Sequence, residues 1–153
     1  MLDPDNLARV FPGARFHADH RLMTWFPTGV LTDEAAERTV DFIAQAEKCE
    51  GKPFHRYTDM TGYAQIALGL DHIVRLARRR RRYSGRSVKS AFYASRLISL
   101  TIANLYEELM IGSKIQICTF RDRALAAEWL GVPLSVLKLP AAKTRSVRDV
   151  RIT

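Results

Sequence analysis

Apolar and polar positions change period several times along the chain. From Leu22 they alternate, with Leu22, Thr24 and Phe26 on one side and Met23 and Trp25 on the other, the two-residue period of a strand. The turn signal Pro27-Thr28-Gly29 predicts a β-hairpin returning into a short strand over Val30–Thr32. Thr32 is placed to cap the helix that follows, and Asp33 and Glu34 suit the positive end of its dipole. Ala36, Val40 and Ile43 mark that helix's buried face, and Gly51-Lys52-Pro53 ends it. Phe54–Asp59 reads as a third strand in which only Phe54 and Tyr57 are plainly apolar. Ile66, Leu70, Ile73, Val74 and Ala77 then fall on one stripe of a helix that begins after Gly62 and runs into a block of arginines.

A fourth strand follows in "SVKSAFYAS", and a third helix in "RLISLTIANLYEELM", whose predicted core stripe is Ile98, Ile102, Leu105 and Leu109. "KIQICTF" is a fifth strand rich in β-branched residues. "RDRALAAEWLGVP" is a short helix between Asp122 as N-cap and Gly131 as C-cap, with Pro133 beyond. Strands and helices therefore alternate after an initial hairpin. That order predicts one α/β domain with a mostly parallel sheet of about five strands and about four helices. The expected layout is an irregular lead-in over 1–15, the domain over 16–139 and a basic tail over 140–153.

Composition adds bounds. At 153 residues the chain is long enough to bury a core without disulfides. No apolar run approaches the length of a membrane span, and the start lacks the order of a signal peptide, so a cytoplasmic protein is expected. Cys49 and Cys118 stand far apart without ligand-like spacing and read as reduced structural thiols. The net charge of +8 is concentrated. Arg75, Arg78, Arg79, Arg80, Arg81, Arg82, Arg86 and Lys89 form a window with no acidic residue, leaving 16 of the 24 basic residues to balance 16 acidic ones. Such a patch is a solvated helix end, or a surface for phosphate-rich partners. Without interleaved aromatic residues, nucleic-acid or anionic-membrane binding there would be weak and salt-dependent.

The stretch Asp59-Met60-Thr61-Gly62 gathers a carboxylate, a hydroxyl and a glycine before a predicted helix. As local chemistry it is a helix cap. As a site it lies at the carboxyl end of a strand, where ligands meet open α/β sheets, and a phosphate there would face a helix N-terminus. Together with "RLMTWFPTGVLTDE", "VKSAFYAS" and "ICTFRDRALAAEWLG", "YTDMTG" resembles the SpoIIAA-like family of the STAS superfamily over roughly residues 16–135. The resemblance implies a non-enzymatic regulatory or binding module without a cofactor. In that family this loop commonly reads Asp-Ser-Ser-Gly, and the serine beside the glycine is phosphorylated by a partner kinase. Asp59 and Gly62 match, Thr61 takes the acceptor's place, and Met60 replaces the other serine. A regulatory kinase or other signalling protein is thus the implied partner. Likeness of some relatives to Sec14-type domains implies an apolar-ligand carrier as an alternative.

Leu97 and Leu100 lie off the predicted core stripe of the third helix and mark a homodimer or partner interface, or simply a broader core. The four histidines lack carboxylates or thiols at ligand spacing, so no metal site is expected. No catalytic set or phosphate-cradling loop stands out.

Overall fold

In the computed structural model, which describes residues 6, 7, 9, 11–50 and 53–139 (backbone alone at 49 and 50), the alternating segment forms a strand whose hairpin partner lies upstream. β1 (Ala14–His17) pairs antiparallel with β2 (Leu22–Trp25), with Ala14 opposite Trp25 and His17 opposite Leu22. A single 3₁₀ turn joins them, closed by Arg21 at φ 49°. The hairpin expected at Pro27-Thr28-Gly29 does not form. β3 (Gly29–Thr32) pairs parallel with β5 (Tyr63–Ala67), in a ribbon separate from the main sheet. The segment after Gly62, read from sequence as the start of a helix, is therefore a strand.

β4 (His55–Asp59), β6 (Val88–Tyr93) and β7 (Ile115–Phe120) complete the main sheet in the order β1-β2-β4-β6-β7, parallel from β2 onward. α1 (Asp33–Glu50), α2 (Leu70–Arg80) and α3 (Leu97–Leu109) cover one face, and α4 (Arg123–Leu130) covers the other. The fold class expected from the order of elements is the one observed.

The caps explain the element ends. Thr32 Oγ1 accepts from the Ala35 amide at 3.1 Å at the start of α1. Asp122 accepts from the Ala124 amide at 2.8 Å at the start of α4, and Gly131 ends that helix at φ 72°. On the α4 face the core is Leu22, Phe26, Tyr57, Ala91, Ala126, Ala127 and Leu137. The lead-in belongs to the packed body: Leu7 is buried with Ala14, Met23, Ala46 and Phe54, and Phe11 packs against them. The basic tail expected over 140–153 lies outside the described residues. Among those described, no helix is long and apolar enough to cross a membrane.

Two stripes differ from expectation. In α2 the buried residues are His72, Ile73, Leu76, Ala77 and Arg80, while Leu70 is exposed and Ile66 belongs to β5. In α3 they are Ser99, Ile102 and Ala103, and Ile98 is exposed.

Candidate functional site

β2 and β4 are neighbours in the sheet, and each continues past its carboxyl end into the ribbon, β2 through Pro27-Thr28 and β4 through Met60–Gly62. At this crossing a side chain on Gly62 would overlap the Pro27 carbonyl oxygen. The glycine is required by a close approach of backbones. Asp59, fully buried, organises the turn. Its Oδ1 accepts from the Thr61 amide at 3.0 Å and the Thr61 hydroxyl at 2.5 Å. Its Oδ2 accepts from Arg123 Nη2 at 2.9 Å, Arg123 Nε at 3.2 Å and the Tyr57 hydroxyl at 3.3 Å. Burial and the Asp59 charge push the Tyr57 phenol well above its ordinary range, so it stays a donor. The Arg123 guanidinium also lies over the Tyr93 ring, 4.2 Å from its centroid.

This geometry corrects the helix-cap reading. Met60–Gly62 is a 3₁₀ turn leading into β5, and α2 begins only at Leu70, after Gly69. Thr61 is exposed, and the turn that carries it is joined through Asp59 to Arg123, the first residue of α4.

The arginine block divides. Arg79 pairs with Glu37 and Asp41 of α1 at 3.2 and 2.6 Å. Arg81 is exposed and donates to the carbonyls of Leu109, the last residue of α3, and of Ile111 just beyond it. Arg75 lies 3.3 Å from His72 Nδ1. Arg78, Arg82 and Arg86 are exposed. Arg80 turns inward and is buried. On α3, Leu97 is 82% exposed, whereas Leu100 packs against the core beside Ala103. The structure thus leaves the two predicted interface residues with different surroundings.

Arg80 leads to the most distinctive feature of the chain. Between the sheet and α1–α3 lies a cavity of about 140 Å³. Its walls are mostly apolar: Trp25 and Phe92 from the sheet, Val40 and Ile43 from α1, Leu76 from α2 and Ile102 from α3. Leu31 of β3, with Met60 and Tyr63, lines it from the ribbon side. Arg56 and Arg80 line it as well, together with the hydroxyl-bearing Thr58, Ser90 and Tyr106.

Arg56 sits mid-sheet, paired with Met23 on one side and Ser90 on the other. It donates through Nη2 to Glu47 Oε1, and Arg80 Nη2 donates to the same oxygen at 2.7 Å. All three side chains are about nine-tenths buried. Burial pulls the Arg56 guanidinium down to about 10, opposed by Glu47 and reinforced by Arg80, so it remains charged at neutral pH. Burial also pushes the Tyr106 phenol upward, keeping it neutral. Two cations share one carboxylate, and the buried Arg56 Nε has no hydrogen-bond partner. A buried excess charge with an orphan donor is costly, and structures seldom leave one without a reason.

The sequence carried a signal for this cluster. Arg56 shares the core-facing side of β4 with Phe54 and Thr58. Glu47 takes the next place on the α1 stripe of Ala36, Val40 and Ile43. Arg80 follows Ile73 and Ala77 on α2. Each is a charge at an apolar-phase position, and the sheet order brings the three together.

No family model and no curated protein matches the chain. Among solved structures, it is similar to an uncharacterized protein from the DUF3478 family with a SpoIIAA-like fold, from Shewanella loihica PV-4. The two share 16% identity and a TM-score of 0.51, over 77% of this chain and 90% of that one. The fold is SpoIIAA-like. At this identity the likeness extends to fold alone. Among the described residues no group of three His, Cys, Asp or Glu side chains could hold a metal ion.

Proposed function

We propose that this chain is a non-catalytic binding module whose ligand is a small apolar molecule held in the internal cavity. The observation that carries the reading is the cavity itself: about 140 Å³, apolar on most of its wall and set between the sheet and α1–α3. An apolar void of about 150 Å³ holds a molecule the size of benzene, which sets the scale of the part of a ligand this cavity can bury.

Trp25 lines the cavity and Trp129 belongs to the α4-face core, so a Trp129→Phe variant reports on the cavity alone. Toluene and indole titrated into that variant change Trp25 emission and raise the thermal midpoint. A ligand at a hundred times its Kd stabilises by about 2.7 kcal/mol, several degrees for a domain of this size. Ala103→Met fills the space from α3 and abolishes both responses. Unchanged emission and midpoint with both compounds would sink the reading.

A second reading rests on the exposed Thr61 hydroxyl bonded to Asp59. Phosphorylation by a partner kinase would set a dianion beside that carboxylate and compete for Arg123, loosening the turn. Kinase treatment of wild type and Thr61→Ala, read by mass spectrometry, tests it, and equal phosphate incorporation rules Thr61 out. Anion binding through the arginine block gains no support from a cluster in which Arg79, Arg80 and Arg81 are engaged within the chain.

A further inference from the structure

The cavity wall carries charge only where Arg56 and Arg80 reach it, and there the charge does not balance. Glu47 neutralises one guanidinium of the two among the described residues. The Arg56 Nε–H is buried and unpartnered, and the Arg56 side chain lines the void. A neutral apolar ligand would fill the volume and leave both features as they are. A single negative charge next to Arg56 would complete two ion pairs and satisfy the orphan donor.

We propose that the ligand of this cavity is a small apolar carboxylic acid, its carboxylate pairing with Arg56 and Arg80 and its hydrocarbon part lying against Trp25, Val40 and Ile102. This rests on the cavity being a ligand site and adds the ligand's charge and size. A monoanion matches the excess of one cation, whereas a phosphate dianion overshoots it beside Glu47. The volume limits the molecule to about six to ten heavy atoms, by comparison with a benzene-sized void. The hydroxyls of Thr58, Ser90 and Tyr106 on the same wall are further donors for the second carboxylate oxygen.

Matched pairs separate charge from shape. Phenylacetate against phenylacetamide, and hexanoate against hexanamide, are titrated into the Trp129→Phe protein at pH 7, followed by Trp25 emission and thermal midpoint. Each acid is expected to bind at least tenfold more tightly than its amide, and Arg56→Gln to abolish the preference. Equal affinity of acid and amide, or a preference that survives Arg56→Gln in a folded variant, overturns the inference and leaves the cavity reading standing. Binding of neither overturns both. Where Arg56→Gln fails to fold, the wild-type pairs decide alone. Hexadecanoate provides the size arm: tighter binding than hexanoate overturns the assignment of a small acid.

Discussion

On the α4 face of the sheet, the one described carboxylate in the core, Asp59, receives hydrogen bonds from Thr61, Tyr57 and Arg123. On the opposite face Glu47 is a lone carboxylate shared by two guanidiniums, one with an orphan donor. The first cluster is over-supplied with donors, and its Arg123 opens onto a surface depression lined by Tyr93, Asp122 and Lys138. The second carries excess positive charge and lies next to a void. Stabilising a turn requires only that the buried charge be satisfied, and the Asp59 cluster meets that condition. The Glu47 cluster falls short by one anion among the described residues, and the proposed binding role rests on this contrast.

The largest expected effect comes from removing the shared carboxylate. Glu47→Gln leaves two buried guanidiniums facing each other, and breaking a buried pair in this way costs about 3–5 kcal/mol. Urea unfolding followed by circular dichroism measures it. Asp59→Asn is expected to cost about 1.5–3 kcal/mol, the worth of hydrogen bonds to a charged group. It falls at the lower end because Arg123 is 37% exposed and rehydrates when its partner goes. An Asp59→Asn loss exceeding that of Glu47→Gln would reverse the ranking and break the comparison between the faces.

How these clusters stood in the sequence follows from the physics of each. The Asp59 stretch was conspicuous because its residues are adjacent, yet its local setting was misread. A stripe from Ile66 to Ala77 fits the helical period, but Tyr63–Ala67 pairs with β3, and that tertiary pairing overrides local periodicity. The hairpin was misplaced for the same reason, since a Pro-Thr-Gly turn signal marks a bend without saying which strand pairs beyond it. The order of elements, the Thr32 and Asp122 caps and the Gly131 terminus were legible because each depends on neighbours in the chain. The Arg56–Glu47–Arg80 cluster depends on residues 9 to 33 positions apart. Only the phase of each charge within its own apolar stripe hinted at it.

The crossing between the two ribbon strands offers a further test, because it forms part of the cavity's end and adjoins the turn that Asp59 organises. Gly62→Ala drives a methyl group into the Pro27 carbonyl and forces the junctions apart. Overpacking costs about 1–3 kcal/mol. The shift moves Met60 and Tyr63, both on the cavity wall. Gly62→Ala is therefore expected to weaken toluene binding in the Trp129→Phe background while leaving the Arg123–Asp59 pair in place. Unchanged binding with lowered stability would detach the ribbon from the cavity.

The smallest effect is a pH dependence that sets two adjacent residues of β4 against each other. His55 and Arg56 point to opposite faces, and His55 Nδ1 accepts from the Lys89 amide at 2.9 Å. Burial, then Lys89, Arg21 and Arg56, hold the imidazole below its ordinary value of 6.5. Between the folded and ordinary values the unfolded chain binds a proton that the folded chain refuses, so stability rises with pH across that interval. The contribution of His55 is complete above the ordinary value and is lost as pH falls through the folded one. Urea midpoints measured from pH 5 to pH 7.5 are expected to climb, and His55→Gln to flatten the climb in part. It is not abolished, because burial, Arg15 and His20 depress His17 in the same direction. Arg56→Gln removes the least of the four influences on His55, so most of the slope survives it. If that variant instead removes the slope, the neighbouring cation outweighs burial at His55, and the two faces are electrostatically coupled through the strand they share.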